Sequence, residues 1–260
     1  MENIVLEMRG IVKRFAQNTV LDHVNLSIRA GEVHALMGEN GAGKSTLMKI
    51  LMGIYSKDEG ELLIDGSPVE ISSPKQALEH GIAMIHQELN PVLDMSIAEN
   101  IFMGRELKKG PIKLVDKKQM ITEADKLTKD VGLNVSAKKV MRGLSVAQMQ
   151  LVEIVKATSQ NAKVIVMDEP TSALTEKEVR VLFGVIERLK KDGVAIVFIS
   201  HKLEEVFKIS DRITVLRDGK FIGELETCSA DHNQLISMMV GREIKEIFPK
   251  IEVPIGDIAF

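Results

Sequence analysis

Gly38-Glu-Asn-Gly-Ala-Gly-Lys-Ser45 is the stretch that decides the fold of this chain. It fits the pattern G-x-x-x-x-G-K-[ST] and lies between a predicted buried strand, Val33–Met37, and a predicted helix over about Lys44–Met52. Its glycines let the backbone wrap around an anion with the N–H groups pointing inward, and the helix N-terminus adds a favourable dipole. The stretch therefore predicts a phosphate-binding loop.

The side chains of this loop suit a nucleoside triphosphate and a magnesium ion. Lys44 would reach the β- and γ-phosphates, and Ser45 would offer its hydroxyl to Mg²⁺. The further nucleotide-binding residues that we predict are Gly38, Glu39, Asn40, Gly41, Ala42, Gly43 and Thr46.

A second group for the metal is expected at the end of the run Val164-Ile-Val-Met-Asp168-Glu169. Its apolar residues predict a strand that ends in two acids at the carboxyl edge of a sheet, where open α/β sheets place their ligands. Asp168 would hold Mg²⁺ through water, and Glu169 would polarise an attacking water. Many phosphate-loop folds share these two motifs, so alone they indicate an NTPase and no narrower class.

The order of predicted elements indicates an α/β fold, a phosphate-loop NTPase core with a mainly parallel sheet. We expect an N-terminal antiparallel β subdomain, with one hairpin formed by Leu62–Ile64 and Val69–Ile71, and a second hairpin near Ile213–Gly223. Between about residues 88 and 160 strand signals vanish and helix caps recur, which predicts a helical subdomain. The predicted caps are Ser96 with Glu99, Asp116, Ser145 with Gln148 and, beyond this segment, Thr175 with Glu178.

Composition limits the function classes. The 260 residues carry a formal net charge of −3, which gives no electrostatic footprint for nucleic acid. No apolar run approaches the ~20 residues that span a bilayer, so we expect any membrane role to come through a partner. The single Cys228 fits a reducing compartment and is interpreted as an inert thiol.

Further motifs narrow the class. Leu144-Ser-Val-Ala-Gln148 resembles the signature sequence of ATP-binding cassette (ABC) ATPases, usually Leu-Ser-Gly-Gly-Gln, and Ser172-Ala-Leu-Thr175 resembles their D-loop, with Thr175 in place of the usual Asp. Gln87 and His201 follow predicted strands, where this family has its glutamine loop and switch histidine. The resemblance covers the chain from Phe15 to His201 in the family's order.

The resemblance implies roles for these residues. Glu169, His201, Gln87 and Lys44 would be catalytic; Gln87 would also touch Mg²⁺ or the attacking water, and His201 the γ-phosphate. Phe15 would lie under the adenine ring, where Tyr is commoner, with a small core aromatic as the alternative. Ser145 would bind the γ-phosphate held by an opposite domain; taken alone, it could also be an ordinary helix cap.

Three stretches are similar to one branch of the family, the importers of ribose, galactose and xylose. They are Gly81–Asn90, Met95–Arg105 and Ser145–Ala157. This likeness implies an ATPase that powers sugar import through separate membrane permease subunits, with a sugar-binding protein as an indirect partner. It also implies a peripheral location at the cytoplasmic face of the cell membrane. Docking on the permease would use the groove near Gln87 and the helical subdomain.

Two rival classes remain at this stage. A non-transport ABC ATPase could act on DNA repair or ribosomes, but the interval from Lys44 to Ser145 leaves no room for the long coiled coil of the repair type, and the ribosomal type usually carries basic segments. A phosphate-loop kinase would lack both the Ser145 signature and His201.

The C-terminal stretch predicts a linker. We expect one cassette over residues 1–241, then a linker with Pro249 and Pro254, and then Gly256–Phe260 as the start of a second cassette comparable to Ile4–Met8. The alternative is a disordered tail.

Overall fold

The computed structural model describes residues 3–241. The strands are β1 (Ile4–Phe15), β2 (Asn18–Arg29), β3 (Val33–Met37), β4 (Glu59–Ile64), β5 (Ser67–Pro68), β6 (Ile82–Ile85), β7 (Lys108–Lys109), β8 (Leu114–Val115), β9 (Val164–Asp168), β10 (Ala195–Ile199), β11 (Arg212–Arg217) and β12 (Lys220–Glu226). The α-helices are α1 (Lys44–Leu51), α2 (Pro74–Glu79), α3 (Ile97–Ile101), α4 (Lys117–Asp130), α5 (Val146–Thr158), α6 (Glu176–Lys191), α7 (Leu203–Ile209) and α8 (His232–Val240). The segment 242–260, on which the predicted linker and second cassette fall, lies outside the described residues.

A six-stranded sheet in the order β12-β11-β3-β10-β9-β6 forms the centre of the fold. All neighbours are parallel except β11 and β12, which form the predicted C-terminal hairpin. Both faces are covered, because successive side chains of a strand point to opposite faces and β3, β9 and β10 are apolar on each. The α/β class with a mainly parallel sheet is therefore confirmed.

Alternate residues of the central strands feed two separate cores. On one face, Ile165 and Phe198 pack with residues of α5 and α6 such as Val155 and Ile186. On the other face, neighbours of the first pair such as Val166 pack with α1 and with β1 and β2 of the second sheet. The sheet is therefore fixed from both sides, which holds its carboxyl edge in place.

The N-terminal antiparallel subdomain is a four-stranded sheet in the order β2-β1-β4-β5. The hairpin formed by β4 and β5 turns at Asp65 and Gly66, both with positive φ, as is typical of an Asp-Gly turn. The expected bounds of the return strand, Val69–Ile71, were wrong: the strand is Ser67–Pro68, opposite Ile64 and Leu63, although the Val69 N–H still donates to Leu62 O at 2.9 Å. A two-residue turn brings the chain back at once, so pairing begins directly after Gly66.

The helical subdomain contains α3, α4 and α5, as predicted. Ser96 with Glu99, Asp116, and Ser145 with Gln148 cap these helices, and both predicted capping boxes are present. The expectation of no strands in this segment was wrong, because the two-residue strands β7 and β8 pair between α3 and α4.

The capping box at α3 generates a prediction about stability. Hydrogen bonds from the Ser96 backbone N–H and hydroxyl, together with Lys117, lower the pKa of Glu99 to about 2. Glu99→Ala should lower the free energy of unfolding at pH 7 by about 1 kcal/mol, as loss of a cap does.

The sign of the pH effect follows from the lowered pKa. The contribution of Glu99 is complete above its unfolded value near pH 4.5 and is lost as the pH falls towards 2. Urea unfolding at pH 7 and pH 3.5 measures this, with Glu99→Gln as the uncharged control that keeps the cap. An equal loss of stability for the Ala variant at both pH values would contradict the assignment.

Candidate active site

The predicted phosphate loop meets Gln87, Asp168, Glu169 and His201 at the carboxyl edge of the central sheet. The register aligns the ends of the parallel strands, because Ile199 lies opposite both Asp168 and Leu36, and Ile85 lies opposite Met167. The residues that directly follow these strands are therefore neighbours, although they are far apart in sequence.

Lys44 lies inside the curve of its own loop. Its ammonium donates to the backbone carbonyls of Gly38 (2.7 Å) and Glu39 (3.0 Å). Burial lowers the pKa of Lys44, and the carboxylates of Glu169 and Asp168 oppose that shift. The ammonium is thus held at the centre of the loop, where an anion would meet both its charge and the N-terminus of α1.

Two loop glycines are required by close approach. A Cβ on Gly38, whose φ is +155°, would lie 2.4 Å from the carbonyl oxygen of Leu216. A Cβ on Gly43 (φ +99°) would lie 2.6 Å from a methyl group of Leu21. The loop is therefore pressed between the first hairpin and the turn after β11, whose Gly219 N–H donates to Ala42 O at 3.3 Å.

A cavity of about 340 Å³ opens over this loop. Its lining includes the predicted Asn40–Thr46, Gln87, Asp168 and Glu169. Val20 and Ile199 also line it, and sequence reasoning missed both. Val20 has no motif that could have identified it, whereas Ile199 could have been found as the last strand residue before His201.

Asp168 is partly buried at the end of β9. Burial and the neighbouring carboxylate of Glu169 raise its pKa, while His86, Lys44 and Lys49 oppose the rise. Among residues 3–241 no cluster of three or more His, Cys, Asp or Glu side chains forms a ready-made metal site. One carboxylate and the Ser45 hydroxyl nevertheless fit Mg²⁺, which prefers oxygen ligands and usually completes its shell with phosphates and water.

Glu169 is the centre of the polar contacts in the site. Gln87 Nε2 donates to its Oε2 at 3.2 Å, and His201 Nδ1 lies 3.0 Å from its Oε1. The backbone of Glu169 has φ +45°, a left-handed conformation that is uncommon for a residue with a side chain, and its N–H donates to Ile199 O at 2.9 Å. Three predicted catalytic residues therefore form one hydrogen-bonded group.

Phe15 lies at the tip of the first hairpin, outside the lining of this cavity. Its ring is 39% exposed and meets the edge of Tyr55 at a centroid distance of 5.2 Å. The ammonium of Lys13 lies over the ring, 5.3 Å from its centroid. A partly exposed aromatic ring can stack on a planar base. Sequence reasoning missed Tyr55, although it is the only tyrosine of the chain.

The structure does not bring Ser145 to Lys44. Ser145 caps α5 and lies by a different cavity, which it shares with Glu178 and Leu174. Its hydroxyl lowers the pKa of Glu178, after the larger effects of Thr175. Within this chain the N-termini of α1 and α5 thus line different cavities.

A glycine-rich loop with a partly buried lysine, near two carboxylates at the carboxyl edge of a parallel sheet, defines a phosphate-loop nucleotide-binding protein. The family model described as "ABC transporter" matches residues 21–172. The chain belongs to the ABC transporter family, and its cassette binds ATP.

Relatives and solved structures agree with this family. The chain is 54% identical, over 96% of its length, to a galactose/methyl galactoside import ATP-binding protein of Photobacterium profundum. It is 51% identical, over 99% of its length, to a putative ribose/galactose/methyl galactoside import ATP-binding protein of Geobacillus kaustophilus. It covers 50% and 51% of those proteins and so spans about half the length of these curated relatives.

Among solved structures, the chain is similar to the ADP conformation of an ATP-binding cassette of an ABC transporter. The TM-score is 0.80 at 28% identity, covering 92% of this chain and 99% of that one. A nucleotide-free cassette gives a TM-score of 0.78, also at 28% identity, over 98% of this chain and all of the other.

The partial exposure of Phe15 allows a test of its expected contact with the adenine base. Phe15→Ala should weaken ATP binding roughly 5-fold, since an aromatic contact is worth about 1 kcal/mol, whereas Phe15→Tyr should bind as the parent does. The chain has no tryptophan and one tyrosine, Tyr55, so its fluorescence titration reports binding beside Phe15 directly. Phe221→Ala is the control for loss of an exposed ring elsewhere. Parental affinity in Phe15→Ala would show that the base binds elsewhere.

Proposed function

We propose that this chain hydrolyses ATP and thereby powers the import of a monosaccharide through a separate membrane permease. The observation that supports this proposal is the position of the Glu169 carboxylate, which contacts Gln87 and His201 at the rim of the cavity that contains Lys44. A carboxylate in that place can accept a proton from water beside the last phosphate of ATP.

In the proposed reaction, the loop N–H groups and Lys44 bind the phosphates. Ser45, Asp168 and Gln87 would hold Mg²⁺, which neutralises phosphate charge when bound. Glu169 accepts a proton from the water whose oxygen bonds to the γ-phosphorus, and the bond to the β–γ bridging oxygen breaks to give ADP and phosphate. His201 and Gln87 orient Glu169 and the water, which is the positioning that phosphoryl transfer needs.

A groove beside Gln87 suits the permease. A cavity of about 290 Å³ lies between the α2–β6 segment and α5, with apolar residues such as Leu78 and Met84 and with the polar His86, Glu153 and Lys156. His86 lines the groove and directly precedes Gln87, which donates a hydrogen bond to Glu169. A permease helix seated in this groove would therefore contact the residue next to Gln87. The groove thereby offers a short mechanical path from the permease to the catalytic carboxylate.

The sugar is proposed from the branch motifs and from the relatives, whose names are those of ribose, galactose and methyl galactoside import proteins. The chain would work at the cytoplasmic face of the cell membrane, with a sugar-binding protein as an indirect partner and with no nucleic acid. No helix within residues 3–241 is long and apolar enough to cross a bilayer.

A second cassette is part of this proposal. Ser145 lies away from the Lys44 cavity, so Ser145 of an opposing cassette would complete the ATP-binding site. The relatives are about twice as long as this chain, which supports residues 1–241 as one cassette and residues 242–260 as a linker and the start of another.

The roles of two residues can be separated by mutation. Glu169→Gln should bind ATP as the parent does and lose at least 100-fold in turnover, because general base catalysis contributes about 10²–10⁴-fold. Lys44→Ala should instead lose ATP affinity. ATP hydrolysis and ATP binding are measured on each variant in the assembled transporter; parental turnover in Glu169→Gln would remove Glu169 from the mechanism.

The role of Ser145 in trans also predicts a clear result. In the Glu169→Gln background, ATP should drive two cassettes together, as followed by light scattering. Adding Ser145→Asp should abolish this association because its charge repels the γ-phosphate, yet Asp still caps α5. Ser145→Asn is the neutral control that also keeps the cap.

ATP affinity of the single cassette distinguishes the alternatives. It should be unchanged by Ser145→Asp if Ser145 acts on the partner's nucleotide. A weaker affinity in the monomer would place Ser145 at its own nucleotide and contradict the proposal.

A further inference from the structure

The hairpin formed by β7 and β8 presents the most exposed apolar side chains of the described residues. Ile112 is 79% exposed at its tip and Leu114 is 61% exposed, followed along the chain by the exposed Val115. Every residue from 108 to 115 is exposed. Leaving aliphatic side chains in water is unfavourable, so a grouped set of this kind indicates a contact surface.

Lysines surround this apolar tip. The hairpin carries Lys108, Lys109 and Lys113, and the start of α4 adds Lys117 and Lys118. Of these five lysines, only Lys109 and Lys117 form ion pairs with described residues, with Asp116 at 3.6 Å and with Glu99 at 3.0 Å. In a chain of net charge −3, this is a local concentration of positive charge on an apolar projection.

The hairpin is held at its base, so its direction is set by the fold. The N–H of Asp116 donates to Leu107 O at 2.7 Å, and the side chain of Asp116 caps α4. Just before the hairpin, Arg105 donates to the carbonyls of Ser159 (2.7 Å) and Ile101 (2.9 Å). The start of α4 and the ends of α3 and α5 thus hold the base, while the tip projects into solvent.

The same contacts place the hairpin beside the groove that is proposed for the permease. Ser159, which binds Arg105, directly precedes Gln160, and Gln160 lines that groove together with Lys156 and Ala157 of α5. A cassette docked through this groove would therefore carry the hairpin close to the membrane surface. Only this placement rests on the proposed function; the chemistry of the hairpin does not.

We propose that the β7–β8 hairpin binds the anionic membrane surface directly, with Ile112 and Leu114 entering the headgroup region and the lysines contacting lipid phosphates. Aliphatic side chains ringed by lysines suit a lipid interface, where apolar burial and attraction to anionic lipids add. An acidic protein segment would explain the lysines, but it leaves the exposure of Ile112 and Leu114 without a partner. The contact is peripheral and does not span the bilayer.

The absence of tryptophan from the sequence allows a direct test. Ile112→Trp provides a single tryptophan at the tip, and its emission should shift to the blue with vesicles containing phosphatidylglycerol but not with pure phosphatidylcholine. Phe221→Trp on β12, at the opposite edge of the central sheet, is the control, and its emission should not move. The shift should decrease as NaCl rises, because salt screens the lysines.

Charge and apolar contributions are then separated by co-sedimentation with the same anionic vesicles. Replacing Lys108, Lys109 and Lys113 by Gln should weaken binding roughly 100-fold, at about fivefold for each lysine near the surface. The matched control replaces Lys177, Lys191 and Lys220 by Gln, which changes net charge equally and should have little effect. Ile112→Gln should also weaken binding with every lysine in place.

The outcomes decide the proposal independently of catalysis. No blue shift for Ile112→Trp with anionic vesicles, or equal losses for the two lysine triplets, would overturn it. Hairpin variants that bind vesicles normally but assemble poorly with a permease would assign the surface to a protein partner instead. ATP hydrolysis should remain parental in all hairpin variants. If the parent chain shows no ATP hydrolysis, that result contradicts the proposed function and does not affect the proposal that the hairpin binds membranes.

Discussion

The common register of β3, β6, β9 and β10 is the constraint on which the site depends. Because Leu36, Asp168 and Ile199 are aligned across β3, β9 and β10, the residues that follow them emerge at one edge. A slip of one residue would reverse the faces of a strand, and apolar cores on both sides of the sheet oppose such a slip. Packing far from the cavity therefore fixes where Glu169 and His201 stand.

Burial at that edge shifts the pKa values of two charged groups in the site. It lowers the pKa of Lys44 and raises that of Asp168, so both groups are less stable as charges than they would be in water. Each is partly compensated by the other. A phosphate with its metal would supply the missing partner charges, which makes the same burial favourable for nucleotide binding.

The sequence predicted those parts that local chemistry determines. The phosphate loop, the strand ending in Asp168 and the capping boxes at Ser96, Ser145 and Thr175 were all predicted, because each depends on residues within a few positions. The parallel class of the sheet was also predicted from the alternation of elements.

What the sequence could not predict depends on contacts between distant residues. The hydrogen bonds of Gln87 and His201 with Glu169 join residues that follow three separate strands. The spacing of these residues along the sequence does not indicate that geometry. The role of Val20 in the cavity arises from the first hairpin folding over the loop. The β7–β8 strands were missed because two residues are too few for a period-two pattern to appear.

The contacts of Gly38 and Gly219 have a consequence for protein synthesis. The loop leaves the ribosome before the residues that complete it, because it is pressed against Leu216 O and accepts a hydrogen bond from Gly219. Those residues are made about 175 positions later, at some 5–20 residues per second. A nascent chain therefore carries the complete motif for many seconds before it carries the site, and during that time nucleotide cannot help it to fold.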